Sequence, residues 1–269
     1  MSDPVPSTAP VLLEETIGGV RILRLNRPAK KNALSNELTW AIVRAFEEAA
    51  ADDAVRVVGL TGEGDAFCSG ADLSPGKSSA SERAKTGSVE EGAVALVTGI
   101  RVHCEKPVIA GIGGIAIGAG LSLAMCADIR LASAAARFHP GYARAGTSPD
   151  CGLSWTLTQA IGHERAMRFL LEQEMLDAEA ALALGLVSEV IEREFFETAF
   201  LAYCQKIAAA APIAAQQTKR LVTSVGLLDD LEEHLRLELE YARRGLRSAD
   251  GREAVRAIFE KRKPEFEGR

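Results

Sequence analysis

The sequence predicts an α/β protein, on three observations. Short apolar, β-rich runs alternate with helical periodicities between residues 11 and 132, the chain beyond is almost wholly helical, and two glycine-rich segments each follow a strand. Residues 11–16 and 20–25 are two β-rich runs around Ile17-Gly18-Gly19, the sequence form of a hairpin. From Asn36 to Ala51, Leu38, Ile42, Ala45, Phe46 and Ala49 recur at helical spacing. There follow a strand at 55–61, a helix at 94–104, a strand at 107–113, a helix at 120–126 and a strand at 128–132. Strands separated by helices pair in parallel through right-handed crossovers. Helical patterns then cover 163–171, 178–184, 195–210, 213–227, 230–246 and 252–263, interrupted by one strand at 186–191. The polar, small-residue stretch 72–92 reads as a loop, and no repeat of fixed period appears.

The bulk properties exclude several function classes. A chain of 269 residues with 47% hydrophobic content can bury a substantial core. The net charge of -6 and pI near 5.4, with basic residues interspersed among acids, argue against nucleic-acid binding, which needs a basic face. No run has the apolar length of a membrane span, and Met-Ser-Asp-Pro opens neither a basic nor an apolar leader, so the expectation is cytoplasmic with no membrane partner. The five cysteines are odd in number and lack a CxxC pair, and the four histidines have no metal-ligand spacing, so no metal is expected.

The two glycine-rich segments carry the chemistry. Gly118-Ala119-Gly120 opens a helix directly after a strand, and small residues there let backbone amides reach a ligand oxygen where the helix dipole favours negative charge. Gly62 to Leu73 likewise follows a strand, so both can present amides at one edge of the sheet as two halves of an oxyanion hole. Alone, each would read as a tight turn packed on a neighbouring strand. Neither matches GxGxxG or GxxxxGK[ST], so no dinucleotide or nucleoside triphosphate is expected.

Asn26-Arg-Pro-Ala-Lys-Lys-Asn-Ala-Leu34, Ala66-Phe-Cys-Ser-Gly-Ala-Asp-Leu73, Lys106 to Gly114, Gly118 to Asp128, Ala183-Leu-Gly-Leu-Val187 and Phe259 to Phe266 span nearly the whole chain. Through them the sequence resembles the crotonase, or enoyl-CoA hydratase/isomerase, superfamily. The resemblance implies a ββα spiral core over 1–200, a C-terminal helical trimerisation region over 201–269, and a homotrimer or hexamer. It implies an acyl-CoA thioester as substrate, coenzyme A entering as part of it and no separate cofactor. The amides of Ala71 and Ala119 would hold the thioester oxygen as charge develops on it, with Phe67, Gly70, Gly118, Gly120, Ser122 and Tyr142 on the substrate side. Arg27, Lys30, Lys31 and Lys261 would meet the phosphates and adenine of CoA, although solvation is the ordinary explanation for surface lysines.

Family hydratases use two glutamates, and those positions hold Ser122 and Tyr142 here. A serine is too weak a base at neutral pH, and a tyrosine is a donor before it is a base. Asp150, in Ser148-Pro-Asp-Cys-Gly152, matches the position of the single acid of some enoyl-CoA isomerases and of the nucleophilic aspartate of aryl-CoA dehalogenases. One carboxylate suffices to carry a proton between C2 and C4, best against an apolar wall. Asp150 also reads as an N-cap for a helix beginning near Gly152. The match and the loss of both glutamates place catalysis ahead, with double-bond isomerisation first. Hydrolase or dehalogenase-type chemistry, or a non-catalytic acyl-CoA-binding protein, are the alternatives. Tyr142 would line the acyl pocket or hydrogen-bond Asp150. Asp72, Asp128, His103 and His139 read as structural residues.

Overall fold

The computed structural model describes residues 9–73, 88–143, 147–225, 240 and 244–269. Most of the expected helix at 230–246 and of the expected loop at 72–92 lies outside the described residues. The chain opens with β1 (Leu12–Ile17) and β2 (Val20–Leu25), an antiparallel hairpin in which Ile17 faces Val20. Gly18 and Gly19 both take positive φ, as a two-residue turn matching the strand twist requires. Helix α1 (Asn36–Ala51) starts at Ser35, whose hydroxyl accepts from the Leu38 amide at 3.2 Å, and buries the apolar stripe read from the sequence.

The core then repeats one path three times. β3 (Val57–Gly62) and β4 (Ala66–Cys68) lead to α2 (Val89–Thr98), and β5 (Val108–Ile112) and β6 (Ile115–Ile117) lead to α3 (Ala119–Cys126). β7 (Ile129–Ser133) and β8 (Arg137–His139) lead to α4 (Leu153–Ile161). In each turn the first strand joins a six-stranded sheet and the second a four-stranded one. The large sheet runs β1-β2-β3-β5-β7-β10, with β10 at Glu189–Ile191 and every pair after the hairpin parallel. The small sheet runs β4-β6-β8-β9, with β9 at Leu176–Asp177. This is the ββα spiral. Strands β3 and β5 are buried throughout, as central parallel strands covered on both faces must be, and so read as apolar runs without alternation.

Parts of the chain differ from expectation, among them the strand expected at 186–191, which spans only Glu189–Ile191. Helix α2 begins earlier, at a capping box in which Ser88 Oγ accepts from the Glu91 amide and Glu91 Oε2 accepts from the Ser88 amide, so 89–92 is helix rather than loop. After Thr98 it widens into a π-helical turn, Gly99–His103, in which His103 is exposed. The small-sheet strands have no counterpart in the sequence reading, because runs of two or three residues are too short to show a period.

Helices α5 (His163–Glu172), α6 (Ala178–Leu184), α7 (Phe196–Ala208), α8 (Pro212–Ser224) and α9 (Ala249–Glu260) follow. The division at 200/201 falls inside α7, whose Phe196, Phe200, Cys204 and Ala208 pack in one cluster with Val20, Ile22, Val57 and Ile109 of the large sheet. His139 is buried in β8 with Nε2 bonded to the Gln173 carbonyl at 2.9 Å. Among the described residues no helix is long and apolar enough to cross a membrane.

The C-terminal segment folds back on α9. Asp250 accepts from the amides of Glu267 and Gly268, and Glu253 takes Arg262 in a two-point ion pair and the Glu265 amide. The Arg262 hydrogen bond, aided by the Glu265 amide, holds the Glu253 carboxyl at about 2, below the 4.5 of a free glutamate. A depressed carboxylate stabilises the folded form above its unfolded range and loses that contribution as pH falls through the folded value. The clasp is therefore expected to hold at pH 5 and to open only near pH 2, read from an NMR titration of the Glu253 carboxyl. A midpoint near 4.5 would show that the clasp is open in solution.

Candidate active site

Two backbone segments meet at the start of α3. Leu34 and Ala71 form a parallel bridge in which the Leu34 amide donates to the Gly70 carbonyl at 2.8 Å and the Leu34 carbonyl accepts from Asp72 at 3.0 Å. In a parallel ladder both bonds of one residue go to the flanking residues of the other, so the Ala71 amide points away from Leu34. Ala119 is the first residue of α3, where a helix amide has no intrahelical acceptor. Among the described residues neither amide has a hydrogen-bond partner.

Glycines bring the two segments into backbone contact. A Cβ on Gly70, at φ 101°, would lie 2.9 Å from the Ile117 carbonyl oxygen and 3.6 Å from the Ala119 nitrogen. A Cβ on Gly120 would collide with the Cys68 carbonyl oxygen, and Gly118 at φ 55° and ψ −125° holds a conformation open only to glycine. Each free amide is thus one residue from the contact. The positive end of α3 adds to the pull on an anionic oxygen.

Other residues hold the Ala71 side rigid. Arg27 Nη2 pairs with Asp72 at 2.6 Å and Nη1 donates to the Ala33 carbonyl, while the fully buried Asn32 donates to the carbonyls of Glu63 and Ala66 and accepts from the Arg27 amide. The sequence reading did not single out Asn32. Its signal is Lys31-Asn32, two non-glycine residues at positive φ inside the Asn26–Leu34 motif.

Beyond the amides lies a chain of side chains. Tyr142 OH sits 2.6 Å from Asp150 Oδ1 and 2.7 Å from Ser122 Oγ. An ionised carboxylate only accepts, so the phenol donates to Asp150 and the serine donates to the phenol oxygen. Burial, reinforced by the bond to Asp150, pushes the Tyr142 phenol far above its usual range, so it remains a donor. Asp150 itself is exposed, without the apolar enclosure expected of it, and residues 144–146 lie outside the described residues.

The capping alternative is corrected. The N-cap of α4 is Gly152, with no side-chain cap bond, and Asp150 contributes only its backbone carbonyl, which accepts from Leu153 at 3.1 Å. Cys151 and Gly152, at φ 48° and 73°, turn the chain so that the Asp150 carboxylate reaches back to Tyr142. A left-handed non-glycine residue costs about 1–2 kcal/mol, a strain typical of functional turns. Burial, then the charge of Asp150, pushes the Cys151 thiol up to about 12, so it stays protonated beside that carboxylate.

The remaining predicted contacts lie apart from this cluster. Phe67 is a fully buried core side chain in β4 and offers no surface to a substrate. Arg27 is committed to Asp72 and Ala33, and Lys31 pairs with Asp65 at 3.0 Å. Lys30 is exposed in a single 3-10 turn and Lys261 is exposed just after α9. Asp128 accepts from the Val108 amide and pairs with Lys219, a structural placement. Among the described residues no group of three or more His, Cys, Asp or Glu is placed to hold a metal ion.

The double-sheet spiral presents two free amides, one of them at a helix start, and Asp150 is joined to that helix through Tyr142 and Ser122, an arrangement able to stabilise charge on a carbonyl oxygen. The chain belongs to the enoyl-CoA hydratase/isomerase family, whose model matches residues 15–269, and with it to acyl-CoA-processing enzymes. It is 33% identical over 260 residues to the 1,2-epoxyphenylacetyl-CoA isomerase of Escherichia coli, covering 96% of this chain and 98% of the relative. It is 35% identical over 264 residues to the (E)-benzylidenesuccinyl-CoA hydratase of Thauera aromatica, covering 96% and 99%. The crystal structure of an enoyl-CoA hydratase from Polaromonas sp. JS666 superposes with a TM-score of 0.85 at 31% identity, covering 95% of this chain and 99% of that one. The fold is the crotonase fold.

Proposed function

We propose that this protein is an enoyl-CoA double-bond isomerase in which Asp150 carries the proton and the amides of Ala71 and Ala119 hold the thioester oxygen. The observation that carries the reading is the Ser122-Tyr142-Asp150 chain: a serine and a tyrosine occupy the hydratase acid positions and both serve the one carboxylate. Asp150 removes a proton from C2 of a 3-enoyl thioester, the electron pair moves onto the thioester oxygen, and the two amides bind the resulting enolate. The same carboxyl, exposed so that its proton exchanges with solvent, protonates C4 and the double bond moves into conjugation, with no net gain or loss of water. Tyr142 fixes the carboxylate through Oδ1. The Escherichia coli relative, named an isomerase of a CoA thioester, agrees with a reaction that adds no water. Exposed apolar side chains on α4 and α5, Trp155, Met167 and Leu171, suit the homotrimer or hexamer expected from the family resemblance.

The test is turnover of a 3-enoyl-CoA in deuterated water, followed by NMR. The expected result is a conjugated product carrying deuterium at C4, with exchange at C2 of the remaining substrate. An absence of both conjugated product and exchange, with thioester binding intact, would favour a non-catalytic acyl-CoA-binding protein.

A further inference from the structure

A cavity of about 450 Å³ opens at the end of α3 away from the free amides, between the entries of β5 and β7, the π-helical turn and helices α4 and α8. It lies about 12 Å along α3 from the free amides, given the rise per residue of an eight-residue helix. Its walls are largely apolar, with Met125, Ile129 and Ile207 among them, yet Arg101, Arg130 and Lys219 face it, with Asp128 the one counter-charge among the described residues.

The Asp128-Lys219 pair is internally complete. Lys219 Nζ lies 3.0 Å from Asp128 and donates to the carbonyls of Ile100 and Lys106, while Asp128 also accepts from the Val108 amide. Among the described residues neither arginine has a carboxylate within ion-pair distance, and Asp128 acts on Arg130 only through its charge. Arg130 Nε and Nη1 donate to the neutral carbonyls of Leu186 and Ala127. Arg101, presented by the π turn, has no hydrogen-bond or ion-pair partner among the described residues. Burial and the neighbouring Arg101 charge both lower the Arg130 pKa, so the two guanidinium groups repel each other across the space. Partly buried cations that outnumber the anions beside them cost stability unless a ligand supplies another negative charge.

We infer that this cavity binds an organic monocarboxylate with an apolar body, its carboxylate held by Arg101 and Arg130 and its chain laid along the Met125 and Ile129 wall. Guanidinium matches carboxylate geometry through paired N–H donors, and the volume lies in the range of small-molecule pockets, far more than an inorganic anion fills. The site is separate from the thioester site and does not depend on the reaction proposed there.

Isothermal titration of the full chain with octanoate, octanamide and inorganic phosphate at fixed ionic strength tests this. Octanoate should bind about tenfold or more tightly than either control, the margin expected for a charge-assisted pair combined with chain burial. Arg101→Gln, which breaks no protein contact, and Ala215→Phe, which fills the space, should each weaken octanoate at least as much. No octanoate binding, equal binding of octanamide or phosphate, or unchanged octanoate binding in Arg101→Gln would overturn the inference. A change of oligomeric state in Arg101→Gln by light scattering would also overturn it, assigning the cavity to a second copy of the chain.

Discussion

Asp150→Asn is expected to lower isomerase turnover by about 10²–10⁴-fold, the usual contribution of a positioned acid-base group, while leaving thioester binding within about twofold. The substitution keeps the shape of the side chain, and the Tyr142 phenol, now 2.6 Å from the carboxylate, can donate equally well to an amide oxygen. Because Asp150 does not cap α4 through its side chain, the helix loses nothing. Only the capacity to accept and return a proton is removed. Turnover and deuterium exchange should therefore fall together, with an unchanged melting temperature and an unchanged dissociation constant for a saturated acyl-CoA. Full activity in Asp150→Asn would remove the carboxylate from the mechanism.

Ala119→Pro is expected to lower kcat by about 10²–10³-fold, equivalent to the roughly 3–4 kcal/mol lost when one oxyanion donor is deleted. A backbone donor cannot be removed by trimming a side chain. Proline at the first position of a helix, however, deletes an amide that has no intrahelical acceptor and matches helical φ, so α3 itself should persist. Ala119→Gly keeps the donor and serves as the control. Steady-state kinetics should show the loss in kcat for proline and near-normal kcat for glycine. Equal rates for both would mean that the Ala119 amide does not face the reacting oxygen.

The large sheet and most helices were legible because their signals are long: the buried runs of β3 and β5, the stripe of α1 and the Gly18-Gly19 turn each outlast a single period. The small sheet was not, since its strands hold two or three residues, and the threefold path of the spiral leaves no fixed spacing because its turns differ in length. At the site, the motifs around Ala71 and Ala119 mark both amides in the sequence itself, for glycine is the one residue that permits the close contacts at Gly70 and Gly120 and the backbone conformation of Gly118. What sequence could not separate was the cap from the catalytic carboxylate at Asp150, because both readings place an acid just before a helix. The two left-handed residues Cys151 and Gly152 remove the cap reading, by turning that carboxylate away from the helix and onto Tyr142. Arg27 and Phe67 drew attention as motif residues, and their partners, Asp72 and the core, are tertiary facts.

The central claim is that the single carboxylate moves a double bond and does not add water. A 2-enoyl-CoA and its 3-enoyl isomer incubated separately with the protein in 18O-labelled water, with products resolved by mass spectrometry, test it directly. Interconversion of the two enoyl thioesters with no 18O in the acyl chain is the predicted result. Accumulation of a hydroxyacyl-CoA carrying one 18O, at a rate matching or exceeding any double-bond shift, would contradict it.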